Sequence, residues 1–141
     1  MELRCPDQKT NVGPGNFLPR KALVVDEYPE SLGYYSAMLQ AYGYQVRRCR
    51  TYPEAVGCLG NEAFDSVIVS QGTPQFEGSC VLKRALEVDR SLPVVVVARY
   101  LDMGTYIEAM QLGATDYLVE PLTAWEIGRL LPYGTCLSAL A

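Results

Sequence analysis

The stretch that decides the fold is DSVIVSQGTPQFEG, Asp65 to Gly78. Its apolar run, Val67-Ile68-Val69, has the length of a buried strand and stops at Ser70. A loop punctuated by Gly72, Pro74 and Gly78 follows, as where a chain leaves a strand. In an open α/β sheet the carboxyl ends of the central strands are where ligands and chemistry sit. A lone serine at such an end, where a carboxylate would be expected to do chemistry, is the question this sequence poses.

Working outward, strand and helix patterns alternate. KALVV reads as a first strand. DEYPESLGYYSAMLQAYG follows as a helix, with Pro29 suited to its first turn and Leu32, Tyr35, Leu39 and Tyr42 at helical spacing. Gly43 is its expected stop. YQVRRC is a second strand, and Thr51 three residues before Glu54 is a capping-box pattern opening a short helix. After DSVIVS, the helix SCVLKRALEVD places Val81, Leu82, Ala85 and Leu86 on one face. LPVVVVA leaves no polar face and is expected to be a strand covered on both sides. DMGTYIEAMQLG is a helix with Asp102 as N-cap and Gly113 just past its end. TDYLV is a fifth strand and TAWEIGRLL a last helix, which Pro132 ends or kinks.

Five such alternations predict a doubly wound, flavodoxin-like α/β fold: a five-stranded parallel sheet, order 2-1-3-4-5, with helices on both faces. At 141 residues one domain is expected. Residues 1–20, rich in Pro and Gly and without periodicity, read as a flexible arm. The domain is expected over 21–131, and 132–141 as a tail or the end of the last helix.

Composition narrows the function. A net charge of −4 and a 49% hydrophobic, 20% charged content suit an ordinary globule with no direct nucleic-acid role. The basic cluster Arg47, Arg48 and Arg50 reads as a solubility device on an edge strand. Five scattered cysteines without a CxxC pair suggest reduced thiols rather than a disulfide framework or a zinc site. The absence of histidine removes Ser-His and Cys-His catalysis, a phosphohistidine and most zinc and haem sites. No apolar run approaches the roughly 20 residues of a membrane helix, and no signal pattern opens the chain. A cytoplasmic protein of bacterial style, without membrane contact, is the expectation. The first strand–helix turn, DEYPES, has two acids and no glycine, so neither a dinucleotide fingerprint nor a P-loop is present. With no activated nucleophile in view, an enzyme is not expected.

Asp26-Glu27 after the first strand, DSVIVSQGTPQFEG, PVVVVA and EAMQLGATDYLVEP together resemble the receiver domain of bacterial two-component response regulators. The resemblance spans Lys21 to Leu131, and IEAMQLGATDYL is most similar to receivers attached to sigma-54-type (NtrC-like) transcription activators. It implies a kit for phosphoryl transfer. Two acids after strand one and an aspartate ending strand three hold Mg²⁺, and that aspartate accepts the phosphoryl group. A hydroxyl residue ending strand four and a lysine ending strand five bind its oxygens. An aromatic on strand five reports the state. Carried across, Asp26 and Glu27 keep the acidic pair. The acceptor position is Ser70, the hydroxyl position Ala98 and the lysine position, before Pro121, Glu120. Tyr117 keeps the aromatic.

That substitution pattern implies a pseudo-receiver. A hydroxyl without a base is a poor nucleophile. Asp26, Glu27 and Glu120 give the pocket a formal −3, and each misplaced like charge costs on the order of 1–4 kcal/mol in partly screened surroundings. The acids are expected to be compensated in one of several ways: a divalent cation, with Asp26 and Glu27 as possible Mg²⁺ ligands beside a rotated Glu120; Arg99 swinging in; plain solvent exposure; or a raised carboxylate pKa. Arg99 or exposure is preferred, and no cofactor is required. By the same resemblance, Tyr106, Met110, Tyr117 and Trp125 form an output face on helix four, strand five and helix five. A protein partner, or a second copy of the chain, is expected to dock there. The expected function is a phosphorylation-independent interaction or dimerisation module in signal transduction or transcription control. The alternative is a cation- or small-ligand-sensing variant that reuses the acidic pocket.

Overall fold

The computed structural model describes residues 20–130. The arm and the tail expected from sequence therefore lie outside the described residues, except that Arg20 opens the first strand. The elements run β1 (Arg20–Val25), α1 (Pro29–Ala41), β2 (Tyr44–Cys49), α2 (Tyr52–Asn61), β3 (Ser66–Ser70), α3 (Ser79–Val88), β4 (Val94–Ala98), α4 (Met103–Leu112), β5 (Asp116–Val119) and α5 (Ala124–Leu130). The strands form one sheet in the order β2-β1-β3-β4-β5, every pair parallel.

Two hydrophobic layers sandwich this sheet, and strand alternation explains them. Leu23, Val25, Val67, Val69, Val94 and Val96 face α2, α3 and α4, where Leu59, Val81, Leu82 and Ala109 meet them. Ala22, Val24, Ile68, Val95 and Val97 face α1 and α5, packing on Leu32, Tyr35, Leu39 and Ile127. The four consecutive valines of β4 thus serve both layers in turn. Each such fully buried side chain contributes roughly 1.5–3 kcal/mol of transfer free energy.

Local signals set the element ends. The Thr51 hydroxyl accepts the Glu54 amide at 3.3 Å, while Glu54 Oε1 accepts from the Arg50 amide at 3.3 Å. Asp102 Oδ1 accepts the Thr105 amide at 3.1 Å, and Gly113 ends α4 at φ 108°. A further capping box, not anticipated, opens α5: the Thr123 hydroxyl accepts the Glu126 amide at 3.1 Å, and the Thr123 amide donates to Glu126 Oε1 at 2.9 Å. Strand β2 lies at the sheet edge with Arg47 and Arg48 exposed, a charged edge that resists pairing with another sheet. Among the described residues no helix is long and apolar enough to cross a membrane.

The loop after β3 is held tightly. The Gly78 amide donates to the Gln71 carbonyl at 3.1 Å, and a Cβ at Gly78 would run into the carbonyl oxygen of Ser70. Only glycine lets the two backbone segments approach this closely. The loop also carries buried Phe76 at φ 58°, a left-handed conformation uncommon outside glycine.

Candidate functional site

The carboxyl ends of β1, β4 and β5 carry a charged cluster. Asp26, directly after β1, is 3% exposed, and its Oδ1 accepts the Tyr28 amide at 2.9 Å. Arg99, directly after β4, stacks its guanidinium over the Tyr28 ring at 3.7 Å from the centroid. From there Arg99 Nη2 lies 3.9 Å from Asp26 Oδ1 and Nη1 lies 3.7 Å from Glu120 Oε1. Glu120 Oε2 accepts the Tyr35 hydroxyl, and the Ser31 hydroxyl at 3.3 Å. One guanidinium therefore stands between two of the three pocket acids. Glu27 remains exposed at the rim.

Burial raises the Asp26 carboxyl above the ordinary aspartate value; the Tyr28 amide and Arg99 pull it back, and the charges of Glu120 and Glu27 push it further up. Burial and the Glu120 carboxylate together hold the Tyr35 hydroxyl far above the ordinary tyrosine range, so it stays a donor to Glu120. Among the described residues no three His, Cys, Asp or Glu side chains converge as a metal site. Glu120, which the three-carboxylate cation site considered from sequence would need rotated inward, is turned to Tyr35 and Ser31. The Arg99 guanidinium, 3.9 Å from Asp26, adds positive charge beside one of the two acids that would offer oxygens to Mg²⁺, which seeks about six oxygen ligands.

Ser70 is half-buried at the end of β3, and its hydroxyl accepts the Gly72 amide at 3.2 Å. Ala98 is buried, its carbonyl accepting the Glu120 amide at 2.8 Å. Beside them an open cleft of about 520 Å³ is lined by Gln71, Pro74, Ala98, Arg99, Tyr100 and Asp102. Tyr52, in the first turn of α2, buries a hydroxyl that makes no well-formed hydrogen bond. Burial pushes it up to about 12, Ser70 acts to lower it, and Glu27, Asp26 and Glu77 raise it further.

The expected output face is only partly a surface. Met110 and Trp125 are exposed, and Arg129 sits 5.1 Å above the Trp125 ring. Tyr117 instead is buried, donating its hydroxyl to Gln71 Oε1 at 2.5 Å. Tyr106, expected to be exposed, is half-buried and packs edge-on against Tyr117, ring centroids 5.6 Å apart. Tyr100, Leu101, Met103 and Ile107 add exposed apolar surface at the start of α4 that the sequence reading did not single out. Gln71, Tyr28, Tyr35 and Ser31 were missed as well. Only Gln71 carried a local signal, a polar residue abutting a buried strand end.

A parallel 2-1-3-4-5 sheet with polar groups gathered beyond its strand ends defines an open, flavodoxin-like α/β protein. The response regulator receiver domain pattern matches residues 22–131, and the chain belongs to that family. It is 29% identical over 100 residues to the transcriptional regulatory protein ZraR of Escherichia coli K12, covering 71% of this chain and 23% of that protein. It is 28% identical over 111 residues to the response regulator protein PilR of Pseudomonas aeruginosa, covering 79% and 24%. The chain thus spans about a quarter of the length of these curated relatives. In fold it is similar to a response regulator receiver domain protein of Clostridium thermocellum, with a TM-score of 0.72 and 24% identity over 86% of this chain and 98% of that one. A CheY-like receiver domain protein of Methanospirillum hungatei gives 0.74 and 20%, over 86% and 96%.

Proposed function

We propose that this receiver domain takes no phosphoryl group at Ser70 and acts as a phosphorylation-independent interaction or dimerisation module in signal transduction or transcription control. The observation that carries the reading is Arg99: stacked on Tyr28, it supplies from β4 the positive charge that Glu120 does not supply from β5. The pocket has its own counter-ion and needs neither phosphate nor cofactor. Ser70 has its hydroxyl engaged by the loop and no base to activate it. The Tyr117 hydroxyl is tied to Gln71, which supports one standing arrangement of the β5 face in place of a switch.

The partner is a protein or a second copy, docking on α4, β5 and α5 through Met110, Trp125 and the surface beside Tyr106 and Tyr117. The acidic net charge supports the absence of direct nucleic-acid contact, and a cytoplasmic location fits a module with no membrane role. The resemblance of IEAMQLGATDYL to sigma-54 activator receivers and the similarity to a transcriptional regulatory protein support a place in transcription control.

The test is an amide NMR titration with Mg²⁺ and then beryllofluoride, beside mass spectrometry after acetyl phosphate. The expected outcome is an unchanged spectrum and an unchanged mass. Beryllofluoride shifts spreading from Ser70 to Tyr117 would sink the proposal. Shifts at Asp26 and Glu27 with Mg²⁺ alone would replace it with the cation-sensing alternative.

A further inference from the structure

Away from the pocket, β2 and α2 bring two thiols together. Cys49, the last residue of β2, is fully buried, and Cys58, in α2, is 6% exposed. Their sulfurs lie 3.7 Å apart. The spacing of nine residues gave no sign of this, because it is the turn into α2 that folds one thiol over the other. The two sulfurs are not equivalent. Arg47 Nε, reaching in from the exposed edge strand, donates to Cys58 Sγ at 3.4 Å although Glu62 Oε2 stands 3.6 Å away. Burial, with the neighbouring Cys58, pushes the Cys49 thiol up to about 12, while the Arg47 charge acts to lower it.

We propose that Cys49 and Cys58 form a reversible dithiol–disulfide pair oxidised by a hydroperoxide, with Cys58, the sulfur that Arg47 contacts, as the attacking one and Cys49 as the resolving thiol. Cys58 gives its proton to solvent and its sulfur attacks one oxygen of hydrogen peroxide. The S–O bond forms, the O–O bond breaks, and the departing hydroxide takes up a proton as water. Cys49 then loses its proton and attacks the Cys58 sulfur. The S–S bond forms, and the hydroxide displaced from the sulfenic acid leaves with that proton as a second water. Two thiols give two electrons and the peroxide accepts them. A disulfide S–S length of about 2.05 Å requires the sulfurs, now 3.7 Å apart, to close by about 1.7 Å.

The consequence is local. The bond would tie the end of the edge strand to α2 around Thr51 and Tyr52, and the buried Tyr52 hydroxyl lies where a Cβ at Gly72, which lines the cleft, would meet it at 3.0 Å. Oxidation therefore acts on the α2 side of the pocket without any phosphoryl chemistry. A transient bond of this kind suits a reducing compartment, where lasting disulfides are rare.

The experiment uses the full chain with Cys5, Cys80 and Cys136 replaced by serine, treated with hydrogen peroxide and then denatured and labelled with maleimide. Both thiols should disappear together, with a mass loss of about 2 Da and a peptide linking Cys49 to Cys58, all reversed by dithiothreitol. Arg47→Gln should slow the loss by at least about fivefold and Arg47→Lys should largely restore it. Should the triple variant fold poorly, peptide mapping of the native sequence with Cys80 first alkylated reads the same bond. The proposal fails if only one thiol reacts, with a gain of about 16 Da or dimers linked between chains. It fails equally if both survive peroxide that, under the same conditions, fully oxidises the exposed Cys80 of the unsubstituted, unalkylated chain, and an unchanged rate in Arg47→Gln removes Cys58 as the attacking sulfur.

Discussion

At Arg99 a guanidinium stacked on Tyr28 stands 3.9 Å from Asp26 and 3.7 Å from Glu120, distances at the outer limit of an ion pair. Its side chain is 40% exposed, so solvent screens both pairs. Their contribution and that of the ring contact come to about 1 kcal/mol together. Arg99→Ala should cost that much stability and should lift the Asp26 carboxyl further, since the main lowering charge is gone. The sign follows from proton binding. A carboxyl raised in the folded state holds its proton more tightly there than in the unfolded chain. Its contribution is therefore most favourable below the ordinary aspartate value of 3.8 and is lost as pH rises through the raised folded value. Removing Arg99 should widen that window upward. Carboxyl NMR titration and urea melts at acidic and neutral pH, on parent and variant, check it; identical titration and stability would show that Arg99 is not the internal counter-charge.

The elements that frame the pocket depend on two glycines in opposite ways. At Gly78, between β3 and α3, an added Cβ meets the Ser70 carbonyl, so backbone must move. Gly78→Ala should cost roughly 2–4 kcal/mol, a clash at a position with no flexible neighbour to yield. Gly57 lies inside α2, exposed, with nothing within 4 Å of such a Cβ. Gly57→Ala should gain up to about 1 kcal/mol from helix propensity alone. Urea denaturation of the two variants checks the contrast; equal effects would mean that the loop after β3 is not held against its own strand end.

Over the whole molecule, apolar exposure gathers on the α4 and α5 side. Leu101, Met103, Ile107, Met110 and Trp125 are all exposed, although the chain has ample charge elsewhere. Such a surface suits an interface core, where an aromatic anchor carries much of the affinity. If the partner is a second copy, sedimentation velocity will show concentration-dependent dimers. Trp125→Glu should then weaken them by about 2 kcal/mol or more, roughly thirtyfold in dissociation constant. A monomer at every concentration, with or without the substitution, would remove self-association and leave a different protein as the partner.

The sequence by itself determined the architecture. Apolar runs such as VVVV, helical spacing as in Leu32, Tyr35 and Leu39, and caps such as Asp102 and Gly113 are signals within a few residues, and five of each kind in alternation imply one parallel, doubly wound sheet with only a handful of strand orders. It also put acids after β1 and a serine at the end of β3, because strand ends are legible from where hydrophobicity stops. Tertiary structure alone decided what those groups touch. Glu120 meets Ser31 and Tyr35 across 89 and 85 residues, and Tyr117 meets Gln71 across 46. The same holds for Arg99 over Tyr28 and for the two sulfurs of Cys49 and Cys58. Such contacts follow from the packing of side chains brought together by the sheet and its crossovers, and no local pattern encodes which rotamer fills the space between them.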